Sequence, residues 1–210
     1  MPDFEAMSNA VIAGQQDKVK ELTQKAIDEN AEANSIINDG LIPGMSVVGK
    51  RFKNGEMFVP EVLMSARAMN GGMELVKPLL AEGQVTTKAN VILGTVKGDL
   101  HDIGKNLVGM LMESASFNII DLGVDAGPEK FVAAVKENDG KVIAMSALLT
   151  TTMLSMKDTI ELLKEEGLRD QVKVIVGGAP VSQDFSDEIE ADGFAPDAAS
   201  AAELVEKLIG

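Results

Sequence analysis

Up to about residue 86, apolar positions return every three or four residues, the spacing of helices that bury one face. Phe4, Met7 and Val11 predict a first helix and Val19, Leu22 and Ala26 a second, with the break Gly14-Gln15-Gln16 between them. Ile37, Leu41, Met45, Val48 and Phe52 predict a third, which tolerates Pro43 or kinks there and stops at Gly55. Val62, Ala66, Met69, Met73, Val76 and Leu80 predict a fourth, with Pro60 suited to its first turn. Four such helices make a small bundle. The polar stretch from Ala81 to Lys88 reads as a linker and puts a domain boundary near residue 88.

Beyond that boundary, apolar runs alternate with amphipathic segments. Val91 to Val96, Asn118 to Asp121, Val142 to Met145 and Val172 to Val176 read as short buried strands, with a weaker fifth at Gly193 to Ala195. Helices are expected at Gly104 to Ser114, Pro128 to Lys136, Met153 to Lys164 and Ser200 to Leu208. The last opens with the capping-box spacing Ser200-x-x-Glu203. The expected fold is α/β: an N-terminal four-helix bundle cap (1–88) followed by a Rossmann-like, doubly wound, five-stranded parallel sheet (89–210). Ligands of such sheets bind beyond the carboxyl ends of the strands, near the point where the strand order reverses.

Composition narrows the chemistry. Hydrophobic residues make up 45% and charged residues 25%, globular values, and no run approaches the roughly 20 apolar residues of a membrane span. The acidic start Met1-Pro2-Asp3-Phe4-Glu5 lacks the basic residues and apolar run of a secretory signal, so a soluble, cytoplasmic protein is expected. With no cysteine, disulfides, zinc-thiolate sites, iron-sulfur clusters and cysteine nucleophiles are excluded. Lys+Arg 19 against Asp+Glu 33 gives a net charge of -14 with no basic stripe, which argues against a nucleic-acid partner.

The segment after the first strand, Lys97-Gly98-Asp99-Leu100-His101-Asp102-Ile103-Gly104, carries the chain's one histidine. Residues two apart in an extended loop project to the same side, so the Asp99 carboxylate can hold one imidazole nitrogen. The other nitrogen is then presented outward as a neutral donor, the arrangement metal-binding histidines use. Gly98 and Gly104 let a bulky group approach the backbone. Ser146, Leu148 and Thr150 alternate with period two and are expected to line one wall of a slot, with Gly177 and Gly178 as further small residues at a strand end.

Asp99-x-His101-x-x-Gly104, Ser146-x-Leu148 and Gly177-Gly178, in that order and spacing, resemble the signature of the cobalamin-binding family. The resemblance implies a cobalamin or related corrinoid cofactor whose cobalt takes His101 as lower axial ligand. Gly98, Asp99, Asp102, Ile103, Gly104, Ser146, Leu148, Thr150, Gly177 and Gly178 would surround it. Thr152 stands where cobalamin-dependent methionine synthase has a serine that completes a hydrogen-bonded relay, so His101, Asp99 and Thr152 are the candidate catalytic group. The threonine keeps the hydroxyl and adds a methyl.

The helical half discriminates among cobalamin proteins. Gly44-Met45-Ser46-Val47-Val48-Gly49, Phe52, Gly55 to Val62 and Ser65-Ala66-Arg67 resemble the helical cap of methyl-carrying corrinoid proteins, with Phe52 and Val59 at positions that cover the upper face of the corrin. The resemblance spans essentially the whole chain. It implies a methyl carrier on cobalt between two partners, a substrate-specific methyltransferase and a second methyltransferase acting on the methyl acceptor, with an ATP-dependent reductive activator. Two alternatives share the lower-face motif: the small subunit of an adenosylcobalamin mutase, against which the cap argues, and a cobalamin-responsive sensor, which would need a reading element this acidic chain lacks.

Overall fold

The computed structural model describes residues 2–80 and 87–209. The chain divides into two compact units, residues 1–86 and 87–210. Most of the expected linker, residues 81–86, lies outside the described residues.

The first unit is helical. Helix α1 (Phe4–Ile12) is capped by the Asp3 carboxylate, which accepts the Ala6 N–H at 2.9 Å. Gly14 (φ +65) turns the chain into α2 (Gln16–Asp28). The third predicted helix is composite: one α-turn, α3 (Ala33–Ser35), runs through a π-helical segment (Ile36–Leu41) into α4 (Ile42–Lys53), with Pro43 in the first turn of α4. The irregularity therefore sits just before the proline, which has no N–H to donate to the preceding turn. Helix α5 (Val59–Val76) follows and ends earlier than the apolar spacing implies. Pro78 lies in a 3-10 turn (Lys77–Leu79), so Leu80 falls outside the helix.

Glycine lets these helices approach closely. A Cβ on Gly44 would lie 2.8 Å from Val11 Cβ and from the Ser8 carbonyl oxygen, so α1 packs on α4 at backbone contact. Gly72 of α5 makes room for the side chains of Leu41 and of Val19 and Thr23 of α2, which a Cβ would meet at 2.9 to 3.0 Å. Met7, Val11, Val19, Leu41, Val48, Val62 and Val76 fill the bundle interior and are buried.

In the second unit, β1 (Asn90–Thr95), β2 (Asn118–Asp121), β3 (Val142–Ser146), β4 (Lys173–Gly177) and β5 (Gly193–Ala195) form one parallel sheet in the order β2-β1-β3-β4-β5. The connecting helices are α6 (Ile103–Ser114), α7 (Pro128–Asn138), α8 (Leu154–Glu165), α9 (Gln183–Glu188) and α10 (Ala198–Ile209). Side chains alternate across the sheet. Ile92, Ile143, Val174 and Val176 join Phe131 of α7 and Met156, Ile160 and Leu163 of α8 in one core layer. Val91, Leu93, Ala144 and Ile175 join Met112 of α6 and Val205 of α10 in the other. Helices on both faces make the Rossmann-like, doubly wound fold expected from the sequence.

Two details differ from the sequence reading. Helix α10 starts two residues before Ser200. Asp197 caps it, accepting the Ser200 N–H and hydroxyl at 2.8 Å each, so an aspartate upstream replaces the expected serine box. Helix α9, capped by Ser182 through the Phe185 N–H at 3.2 Å, is too short to show a helical period in the sequence.

Candidate functional site

The strand order reverses between β1 and β3, so their carboxyl ends flank the crevice where such sheets bind ligands. The register sets Thr95, Ser146 and Gly177 side by side on β1, β3 and β4. Beyond them lie the loop carrying His101 and the segment leading into α8.

Asp99 organises this region. Its side chain is fully buried, and five donors converge on its two oxygens. Oδ1 accepts the His101 backbone N–H at 3.1 Å and pairs with His101 Nδ1 at 2.7 Å. Oδ2 accepts the N–H groups of Leu148 and Leu149 at 2.7 and 3.2 Å and the Thr152 hydroxyl at 3.0 Å. Burial pushes the Asp99 carboxyl up, but the bonds from Leu148, His101 and Thr152 outweigh it and hold the group well below the usual carboxylate range. An ionised carboxylate only accepts, so the proton of a neutral His101 ring resides on Nδ1 and the lone pair on Nε2. The His101 side chain is 52% exposed, which leaves that lone pair open to a ligand. The Thr95 hydroxyl, donating to the His101 carbonyl at 2.7 Å, holds the loop from below.

Thus Asp99, His101 and Thr152, 53 positions apart at their extremes, are brought together. The buried Thr152 hydroxyl also lies 2.8 Å from the Leu149 carbonyl, so its single hydrogen chooses between two acceptors. The expected period-two wall of Ser146, Leu148 and Thr150 does not form. Strand β3 ends at Ser146, and residues 149–153 make a bend and turn that lead into α8. Consecutive amides of a strand point in opposite directions, and here both the Leu148 and Leu149 amides turn onto Asp99. Thr150 is exposed on that turn.

Asp102 sits at the N-cap of α6, and its side chain makes no capping bond. A Cβ on Gly104 would enter open space, so nothing in the protein's own packing demands glycine there. Gly178 is the opposite case: φ is +123 and a Cβ would lie 1.9 Å from the Ala147 carbonyl oxygen. The glycine pair lets the loops after β3 and β4 touch, joined by the Ala147 N–H to the Gly177 carbonyl at 3.1 Å. In the helical unit, the half-buried Phe52 lies near the end of α4 and Val59 opens α5.

Ile103 and Leu148, expected at the cofactor, belong to a larger exposed apolar group whose other members, Leu100, Leu149 and Leu154, the sequence reading passed over. Leu100 and Ile103, beside His101, are 72% and 74% exposed, and Leu154 at the start of α8 is 63% exposed. Leu148 and Leu149 are partly exposed on the same segment that holds Asp99. Apolar side chains gathered in this way mark a ligand or partner surface. Leucines in sequence default to the core, so only their placement reveals the group.

Residues that could hold a planar, metal-bearing cofactor are therefore present: an oriented nitrogen donor, an apolar surround and a glycine facing open space. Two B12 binding domain models match the chain, over residues 3–77 and 89–205. The chain is 46% identical over 210 residues to a corrinoid protein of Desulfitobacterium hafniense (strain Y51), covering 99% of this chain and 97% of the relative. It is 44% identical to a dimethylamine corrinoid protein of Methanosarcina barkeri over 207 residues, covering 98% and 97% of the two chains. The methanol:cobalamin methyltransferase complex MtaBC from Methanosarcina barkeri contains a chain of similar structure, with TM-score 0.87 and 34% identity over 98% of this chain and 79% of that one. A cobalamin-binding protein from Desulfitobacterium hafniense DCB-2 gives TM-score 0.85 and 32% identity over 100% of both chains. With both of its units matched in this way, the chain belongs to the B12-binding family of corrinoid proteins.

Proposed function

We propose that this chain is a corrinoid protein that carries a methyl group on cobalt between a substrate-specific methyltransferase and a second methyltransferase. The observation that carries the reading is the Asp99-held imidazole. Nδ1 is committed to a buried carboxylate, while the His101 side chain is half-exposed in a segment that also carries the exposed Leu100 and Ile103. When bound, the corrinoid supplies a nucleophilic cobalt that accepts a methyl group and gives it up again. This chain's own residues bind, orient and shield. His101 would hold the cobalt through Nε2, Asp99 fixes the tautomer of that ring, and Thr152 would complete the relay. Leu100, Ile103, Leu148, Leu149 and Leu154 meet the apolar surface of the cofactor, and Gly98, Asp102, Gly104, Ser146, Thr150, Gly177 and Gly178 border it.

The same reading assigns residues 89–210 to cofactor binding and residues 1–88 to the cap, where Phe52 and Val59 shield the cofactor from water. Among the similar proteins are dimethylamine corrinoid proteins and a chain of a methanol:cobalamin methyltransferase complex, which supports methyltransferases as partners. The acceptor-side methyltransferase and an ATP-dependent activator complete the proposed system. A cytoplasmic setting fits the proposal; no helix among the described residues is long and apolar enough to cross a membrane.

The test is reconstitution of the purified protein with hydroxocobalamin, comparing the visible spectrum with that of His101→Ala. A histidine-ligated spectrum in the parent, lost in the variant, is expected. Absence of bound corrinoid, or identical spectra, would overturn the assignment.

A further inference from the structure

Asp99 holds the ring of His101, and a second aspartate holds Asp99. The peptide groups on either side of the Gly98–Asp99 linkage are both held by one residue. The Gly98 N–H donates to Asp125 Oδ1 at 2.7 Å, and the Asp125 N–H donates to the Asp99 carbonyl at 3.0 Å. Asp125 lies in the loop between β2 and α7 with φ +51, a left-handed conformation that aspartate tolerates better than most residues.

The loop around it is itself anchored. The Thr95 N–H donates to the Gly123 carbonyl at 3.0 Å, the Ala126 N–H to the Thr95 carbonyl at 2.9 Å, and Val96 and Ala126 form a parallel bridge. At its start, Asp121 accepts the Gly123 N–H at 2.8 Å and pairs with the buried Lys105 of α6. This segment is thus tied to the chain both before and after His101. Asp99 stands between two supports: its backbone on Asp125, its carboxylate on the Leu148 and Leu149 amides.

We propose that Asp125 is a positioning residue for His101, bracing the backbone on either side of the Gly98–Asp99 linkage so that the Asp99 carboxylate meets Nδ1 and the ring offers Nε2 outward. The hydrogen bonds of Asp125 go to the Gly98 N–H and the Asp99 carbonyl, not to the ring. Asp125 acts through the backbone of Asp99, and a displacement there moves the carboxylate that selects the tautomer. The consequence for cobalt rests on the proposed ligand role of His101; the brace itself is a property of the cofactor-free protein.

The chain has a single histidine, so its ring nitrogens give unambiguous 15N signals in full-length protein purified without a histidine tag. Asp125→Gly removes the carboxylate and keeps the left-handed backbone without strain, whereas Asp125→Asn keeps the acceptor oxygen. At one pH, the cofactor-free parent is expected to show the proton on Nδ1. D125G is expected to shift population toward the Nε2–H form and to speed amide exchange at Gly98 by about tenfold, with D125N close to the parent. Hydroxocobalamin affinity should fall about five- to tenfold in D125G and recover in D125N. Parent-like ring signals and exchange in D125G would overturn the proposal, as would D125N signals displaced from the parent's. Should D125G fail to fold, the D125N comparison decides alone. Ring signals that behave as expected in a protein that binds no corrinoid would retain the brace and reject the ligand role.

Discussion

Replacing Asp99 with asparagine tests the site at its most connected atoms. The carboxylate offers two oxygens to five donors; the carboxamide offers one oxygen and one NH2. With the NH2 in place of Oδ2, it would face the N–H groups of Leu148 and Leu149, neither of which can become an acceptor. In place of Oδ1, it faces the His101 N–H, which loses its partner, and Nδ1, which can turn acceptor by moving the ring proton to Nε2. The second orientation wins. An unpaired amide costs about 1–3 kcal/mol, and exchanging charge-assisted bonds for neutral ones costs roughly 1 kcal/mol more. Asp99→Asn is therefore expected to lose about 2–4 kcal/mol of stability in urea unfolding, with an unchanged slope. The same step puts a hydrogen on the nitrogen that the proposal offers to cobalt, so the histidine-ligated spectrum should vanish together with the stability. A loss below about 1 kcal/mol, or a retained spectrum, would refute the reasoning.

The depressed pKa of Asp99 also predicts a pH dependence. Its stabilising contribution is full above the unfolded carboxyl value of about 4 and is lost as pH falls through the lower folded value, so parent and Asp99→Asn should converge in acid. Thr152→Val, which removes only a buried hydroxyl, should cost about 1–2 kcal/mol while Thr152→Ser retains most of the stability; equal losses in chemical unfolding would place the effect in packing instead. Gly178→Ala adds a methyl 1.9 Å from the Ala147 carbonyl oxygen at φ +123 and should destabilise by more than about 3 kcal/mol, measured by thermal unfolding. Phe52→Ala should speed photolysis or exchange of the methylated cofactor; unchanged rates would remove Phe52 from the shield.

Much of this structure is written in apolar spacing. The runs at Val91, Val142 and Val172 each become a strand within about one residue, because a strand buried on both faces needs an unbroken apolar stretch; the run at Asn118 also becomes a strand, but at the sheet edge, where its residues are exposed or half-buried rather than buried as expected. The Asp99–His101 pair was legible for a similar reason: the partners are two residues apart. Errors appear where long-range contacts override local pattern. Beyond Ser146 the sequence continues to alternate, yet the chain turns because the Asp99 carboxylate, 49 positions upstream of Leu148, collects successive amides. Asp125 carries only a turn-forming composition in Asp125-Ala126-Gly127-Pro128, and its contact with Gly98 spans 27 positions. The exposed Leu100, Leu149 and Leu154 look like core residues until the fold leaves them outside.

The π-helical segment Ile36–Leu41 has an evolutionary consequence. A π-turn contains one residue more than an α-turn of the same reach, and here its outward positions, Asn38 and Asp39, are exposed. Deleting either would close the segment into an ordinary α-helix while α4 keeps its buried side against α1. Elsewhere in the bundle, losing one residue would rotate every later side chain by about 100°. This segment is therefore where the helical unit can change length by a single codon and keep its packing.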